Sequence, residues 1–163
     1  PRLIRAALPH MREAESGTIV NVSSVTGRLS TPGMGAYSAS KFALEAMSDA
    51  LRGEVEPFGV DVAVVEPGSV ETTFDERADE ELRELDRDPV YESIYEAYED
   101  ARAISGLARS SPADVAAVIL EAGTSTNPQS RYTVGPVAGY AVLARFVPDR
   151  FRDAVFRLLR RLA

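Results

Sequence analysis

The chain has 163 residues, 45% hydrophobic and 26% charged, with a formal net charge of −7, no cysteine, one histidine (His10) and one lysine (Lys41). That length suits a single domain with a real core, and the acidic balance disfavours nucleic acid or an anionic membrane as the main partner. Without cysteine there are no disulfides and no thiol chemistry, which fits a reducing compartment such as the cytoplasm, and one histidine leaves zinc sites and Ser-His-Asp triads poorly supplied.

The sequence opens at Pro1, without methionine, inside a helix-like pattern, so a trimmed or partial chain is expected. Leu3, Ile4, Ala7, Leu8 and Met11 recur at helical spacing up to Glu15, and Ser16-Gly17 ends that helix. His10 falls on it with no role beyond an exposed position. The β-branched run Thr18 to Ser23 reads as a buried strand, followed by a Gly/Ser/Thr/Pro loop from Gly27 to Gly35. Ala36 to Pro57 is helical again. Tyr37, Phe42, Leu44, Ala46, Met47 and Leu51 lead us to expect that this helix is substantially buried. Pro57-Phe58-Gly59 breaks it, and Val60 to Glu66 is a second strand whose continuous apolar end suits a sheet covered on both faces. Pro67-Gly68 turns the chain at once.

Strand, helix, strand in this order implies a parallel pair with a right-handed crossover. Ligands bind beyond the carboxyl ends of such strands, where Ser24 and the segment Pro67 to Thr73 both fall. Farther on, the acidic stretch Asp75 to Asp88 reads as a solvated helical face rather than a metal site, because arginines interrupt it and no ligand loop is present. Val90 to Leu107 is a further helix with Tyr91, Ile94, Tyr95 and Tyr98 in a stripe, either a flap over a substrate pocket or a face packed on the core. Ser111 and Pro112 begin a helix that runs to about Ala122 and closes at Gly123, before a short strand Tyr132 to Gly135. The tail, Tyr140 to Ala163, alternates Phe151, Val155, Leu158, Leu159 and Leu162 with arginines. Docking onto its own domain is favoured there over an oligomer contact or a membrane surface. No run of about eighteen apolar residues is present, so no membrane-spanning helix is expected, and no signal peptide is visible.

The chemistry converges on Tyr37 and Lys41. Four residues apart on a helix, they share one face, roughly 5–6 Å apart at Cβ. A free phenol titrates near about 10, too high for easy proton exchange at neutral pH, and a neighbouring ammonium favours its phenolate. With Ser24 supplying a hydroxyl to the same substrate oxygen, the three make a proton-transfer site for an alcohol/carbonyl pair.

Asn21-Val22-Ser23-Ser24-Val25-Thr26-Gly27, Tyr37-Ser38-Ala39-Ser40-Lys41 and Pro67-Gly68-Ser69-Val70-Glu71-Thr72 resemble the central and later motifs of the short-chain dehydrogenases/reductases. The resemblance runs from Pro1 to about Val134. It implies an α/β fold, part of a Rossmann-like, doubly wound parallel sheet in three α/β/α layers. The whole of 1–163 would form one incomplete NAD(P)-binding domain, with substrate-loop helices over 74–108 and a helical tail over 137–163. The implied activity is NAD- or NADP-dependent interconversion of a secondary alcohol and a carbonyl compound.

Tyr37 would be the acid/base, Lys41 would favour its phenolate and hold the nicotinamide ribose, and Ser24, the motif's second serine, would position the substrate oxygen. Pro67, Gly68, Val70 and Thr72 would lie against the nicotinamide, Val70 through its backbone and Thr72 through its hydroxyl. Ser23 and Thr73 read as strand-end and loop residues, Ser38 and Ser40 as small residues for close packing. Lys41-Phe42-Ala43-Leu44-Glu45 and Pro57-Phe58-Gly59-Val60 are similar to members acting on hydroxysteroids, retinol-like alcohols or lipid ketones, so a lipid- or steroid-like small molecule is the expected partner. No metal is implied. A homo-oligomer is compatible with the resemblance, as are a non-catalytic binding protein and an epimerase or lyase on the same scaffold. The family's glycine-rich cofactor turn, its NAD/NADP discriminator and its structural asparagine would all precede Pro1. This chain alone is therefore expected to bind cofactor poorly and turn over little.

Overall fold

The structure is a computed structural model that describes residues 2–106, 108–136 and 138–162. Pro1, Leu107, Val137 and Ala163, at which expected segments began or ended, lie outside the described residues. Three parallel strands form one sheet in the order β1-β2-β3: β1 Gly17–Val22, β2 Val60–Pro67 and β3 Arg131–Val134. Gly17 pairs with Val60 and Val22 with Val65, then Val64 with Arg131 and Pro67 with Val134. Ser23 continues the first ladder, its N–H donating to the Val65 carbonyl at 2.8 Å.

Helices α1 (Arg2–Glu13) and α2 (Gly35–Val55) cover one face. Ile19, Val55, Val60 and Val62 form the buried cluster there, with Ile4, Leu8, Met11 and Leu51 against it. Helix α5 (Pro112–Thr124) covers the other face through Val115, Val118 and Ile119, which pack on Ala63, Val65, Ala122, Tyr132 and Val134. The alternate residues of β2 thus feed two cores, and the three α/β/α layers match the expected fold. Helices α3 (Thr73–Glu84) and α4 (Glu92–Gly106) follow β2, and α6 (Ala138–Leu143) and α7 (Asp149–Leu162) follow β3.

Four readings of the sequence need correction. Strand β1 is not a buried strand: it stands at the edge of the described sheet, within it only Ile19 is buried, and Val22 is 42% exposed. Helix α2 is not buried by its large residues. Its buried positions are Ser38, Glu45, Ser48 and Val55, while Phe42 stays 42% exposed. The face that meets the sheet follows the 38–41–45–48 stripe, and tight approach there needs small or polar-paired residues, which turns Phe42 outward. The acidic segment stops at Glu84 instead of running to Asp88, because Asp88 caps a separate 3-10 turn, Pro89–Tyr91, by accepting from the Val90 N–H at 3.0 Å. The tail is broken near Pro148 into α6 and α7, and although α7 lies against α4, Phe151, Val155 and Leu158 remain exposed. The side chains of 159–162, also part of the expected amphipathic stripe, lie outside what is described. Among the described residues no helix is long and apolar enough to cross a membrane.

Candidate active site

The site forms where β1 and β2 end. Ser24 sits in extended backbone (φ −166°, ψ 161°) and caps the single 3-10 turn Val25–Gly27. Its hydroxyl donates to the Pro67 carbonyl at 3.3 Å, joining the ends of the two strands. The same oxygen accepts from the Thr26 N–H at 3.2 Å and from Thr26 Oγ1 at 3.0 Å. Ser24 is buried, so these bonds hold it in one orientation. Thr26 stands inside the first motif but carries no expected role; the Ser24 hydroxyl accepting from the N–H two residues on is a local turn bond.

Across from this turn lies α2. Lys41 Nζ donates to the Val22 carbonyl at 3.2 Å and stands 5.6 Å from the centre of the Tyr37 ring. Partial burial lowers the Lys41 pKa from its ordinary value. Gly27 makes the close approach of turn and helix feasible. A Cβ there would lie 2.7 Å from Ser23 Oγ, 3.1 Å from Glu45 Cγ and 3.2 Å from Lys41 Cβ. Asn21 adds a second tie, its Nδ2 donating to Ser48 Oγ at 2.9 Å. Tyr37 is half-buried, and its ring lies 5.4 Å from that of Phe74 at a 45° tilt. The hydrogen bonds among the described residues do not link Ser24 to Tyr37 directly. Ser24 is tied to the end of β2 through the Pro67 carbonyl, and the helix that carries Tyr37 is tied to the end of β1 through Lys41 and the Val22 carbonyl.

The third expected motif follows β2. Gly68 N–H donates to the Val134 carbonyl at 2.9 Å, tying the loop to β3. Ser69 and Glu71 then bracket Ser110: Ser110 N–H donates to the Ser69 carbonyl at 2.9 Å, and Glu71 N–H to the Ser110 carbonyl at 3.0 Å. Val70 and Ser110 thereby form an isolated parallel bridge. Ser110 is not singled out in the sequence, since the bonds it makes to Ser69 and Glu71 are backbone ones. Thr72 caps α3, its Oγ1 accepting from the Phe74 N–H at 3.3 Å, which leaves the hydroxyl proton available to another acceptor. Ser38 is buried as small-residue packing requires, and Ser40 is exposed, donating to the Tyr37 carbonyl at 2.7 Å. Thr73 opens α3, and His10 is exposed in the last turn of α1.

Helix α4 reaches the loop before α2 through Tyr98. A Cβ on Gly33 would meet Tyr98 Cδ2 at 2.8 Å, so Tyr98 rests on the loop that leads into α2. In the aromatic stripe Tyr91 is exposed while Ile94, Tyr95 and Tyr98 are partly buried, an arrangement compatible with either of the two expected readings. Two surface hollows, one lined by Pro9, Arg12, Glu13 and Phe58 and one including Asp49, Val60, Asp61 and Pro128, lie toward the opposite, amino-terminal ends of the strands.

These residues fit the nicotinamide-ribose end of a dinucleotide. The Lys41 ammonium uses one of its three donors on Val22 and has no carboxylate at ion-pair distance among the described residues. A half-buried cation in that condition suits a pair of ribose hydroxyls.

The sequence matches the family described as short chain dehydrogenase over residues 2–83, just over half of the chain. It is 39% identical over 157 residues to the uncharacterized oxidoreductase YbbO of Escherichia coli (strain K12), covering 96% of this chain and 52% of that one. It is 35% identical over 161 residues to 3-ketodihydrosphingosine reductase of Bacteroides thetaiotaomicron, covering 96% and 58%. Among solved structures, a short-chain dehydrogenase from Streptomyces avermitilis superposes with a TM-score of 0.72 at 33% identity, covering 98% of this chain and 57% of that one. A 3-oxoacyl-[acyl-carrier protein] reductase with bound NAD from Brucella melitensis superposes with a TM-score of 0.53 at 29% identity, covering 81% and 44%. The chain spans a little over half the length of the curated relatives it matches.

Proposed function

The chain belongs to the short-chain dehydrogenase family, and from that membership we propose that the protein is an NAD(P)-dependent oxidoreductase interconverting a secondary alcohol and a carbonyl compound in the cytoplasm. The observation that carries this is the Tyr37–Lys41 pair on α2, with its carboxylate-free ammonium, set at the same sheet edge as the buried Ser24 hydroxyl. Lys41 and the loop residues Pro67, Gly68, Val70 and Thr72 hold the nicotinamide riboside, which supplies or accepts the hydride at the substrate carbon. Tyr37 gives its phenolic proton to the substrate oxygen on reduction and takes it back on oxidation, and the Lys41 charge favours the anion left behind. Ser24 turns its proton from the Pro67 carbonyl to that same oxygen and orients it.

A lipid-like substrate is supported by the exposed Phe74 ring, 5.4 Å from that of Tyr37, and by the sphingoid ketone named for one relative. The 163-residue chain alone turns over little, because it carries no glycine-rich turn for the cofactor pyrophosphate.

Replacing Tyr37 with Phe in the intact gene product tests the reading. With a panel of secondary alcohols and ketones followed by NAD(P)H absorbance, turnover should fall about 10²–10⁴-fold. Unchanged turnover would remove Tyr37 from the proton transfer.

A further inference from the structure

Arg28, Glu45, Glu66 and Arg131 form a buried ionic cluster that the chemistry above leaves unused. Arg131 Nε lies 3.2 Å from Glu45 Oε2 and 3.2 Å from Glu66 Oε1, while its Nη2 lies 2.6 Å from Asp49 Oδ1. Arg28 reaches the same two glutamates more loosely, with Nη1 3.9 Å from Glu45 Oε2 and Nε 3.8 Å from Glu66 Oε1. Glu66 is wholly buried and Glu45 is 4% exposed. Burial first, then the Glu45 carboxylate, pushes the Glu66 acid up, and the two guanidinium groups oppose that rise.

Such a cluster is a poor way to gain stability. Each buried ion costs several kcal/mol of desolvation, and well-packed apolar residues do as well or better. The attachment points suggest what it does instead. Arg28 closes the turn that Ser24 opens. Glu45 stands one helical turn beyond Lys41 and two beyond Tyr37. Glu66 immediately precedes Pro67, whose carbonyl accepts from Ser24 and which begins the expected nicotinamide loop. Arg131 opens β3, the strand whose Val134 carbonyl receives the Gly68 N–H. The Ser24 turn, α2, the end of β2 and the start of β3 therefore each send one charged side chain into the same point.

We propose that this quartet sets the relative placement of the Ser24 turn, the Tyr37–Lys41 face and the Pro67–Thr72 loop, with Arg28 and Glu66 as positioning residues for the reaction. The inference rests on the oxidoreductase reading given above. Arg28 is the sensitive member: both of its contacts are long, and only a planar fork spans two carboxylates at once. Lysine there keeps the charge and loses the span.

The test uses Arg28→Lys and Glu66→Gln in the intact gene product, with Tyr37→Phe in parallel. Displacing a reacting group by about 1 Å costs up to about 10²-fold, so kcat should fall ten- to a hundredfold in both variants. In Arg28→Lys the cofactor KM should stay within about twofold, since a placement defect acts on the reacting geometry rather than on cofactor affinity. Amide hydrogen exchange should quicken at residues 24–29 and 67–71 and stay unchanged in the centre of β2. A kcat within about twofold of the parent in both variants, or a loss confined to KM, overturns the inference. If Tyr37→Phe keeps full turnover, the proton-transfer role of Tyr37 fails by itself, while the quartet is still read from the other variants. The exchange data then decide the quartet: faster exchange at 24–29 supports it and unchanged exchange refutes it. Should Glu66→Gln not fold, Arg28→Lys and Glu45→Gln carry the same comparison.

Discussion

Gly27 shows how much of the site hangs on one missing side chain. Its hydrogen faces Ser23, Lys41 and Glu45 at distances no Cβ tolerates without movement. Gly27→Ala should therefore cost about 1–3 kcal/mol, the usual range for overpacking, and should lower activity by pushing the Ser24 turn off α2. Gly53, inside α2 with open space around its Cα, is the control: Gly53→Ala should stabilise by about 1 kcal/mol through helix propensity alone. Urea unfolding of the two variants reads both signs. Tyr37, Lys41 and Ser24 were legible in the sequence because their spacing is local and their chemistry specific. Arg28, Glu66 and Arg131 were not, because an arginine on a loop and a glutamate ending an apolar strand carry no local signal. Only the sheet brings them together, and Arg131 meets Glu45 across 86 positions of sequence.

At the scale of elements, local rules held wherever local chemistry decides. Ser111 caps α5 as expected, and the cap is reciprocal: its hydroxyl accepts from the Asp114 N–H at 3.2 Å, while Asp114 Oδ2 accepts from the Ser111 N–H at 2.8 Å. Losing the cap in Ser111→Ala should cost about 1 kcal/mol, measured by chemical denaturation. The Ser111 backbone first, and its hydroxyl second, hold the Asp114 carboxyl below its ordinary value. A depressed folded pKa contributes stability above the unfolded aspartate value of about 3.9, and that stability is lost as pH falls through the folded value. Asp114→Asn should flatten this part of the acid limb in a series of melting temperatures taken downward from neutral pH. Glu66 has the opposite sign. Its raised acid withholds stability at neutral pH and returns it as pH falls through the raised value. One element that sequence misjudged was α2, where apolar content suggested burial. Which face meets the sheet is a tertiary fact, and here the buried stripe is serine and glutamate.

At the scale of the whole molecule, the described strands and the helices on both sides of them bring Ser24, Tyr37 and Lys41, the proposed proton-transfer set, to one sheet edge. The binding energy for a dinucleotide is distributed differently. In the proposed reading Lys41 and the 67–72 loop would address only the nicotinamide riboside. The adenosine and pyrophosphate ends carry most of the charge and much of the surface, and anchoring a pyrophosphate takes backbone N–H groups at a glycine-rich helix start. No G-x-x-x-G-x-G spacing occurs anywhere in the 163 residues. This chain, taken alone, should therefore bind NADPH or NADH no more tightly than nicotinamide mononucleotide, because the shared riboside end is all it can grip. Fluorescence titration of the isolated chain with the three compounds measures the difference. Equal weak binding is the expected outcome. A dinucleotide held about a hundredfold more tightly than the mononucleotide, worth about 2.7 kcal/mol, would mean that a pyrophosphate site exists in these residues and that the division of labour argued from Lys41 and the 67–72 loop is wrong.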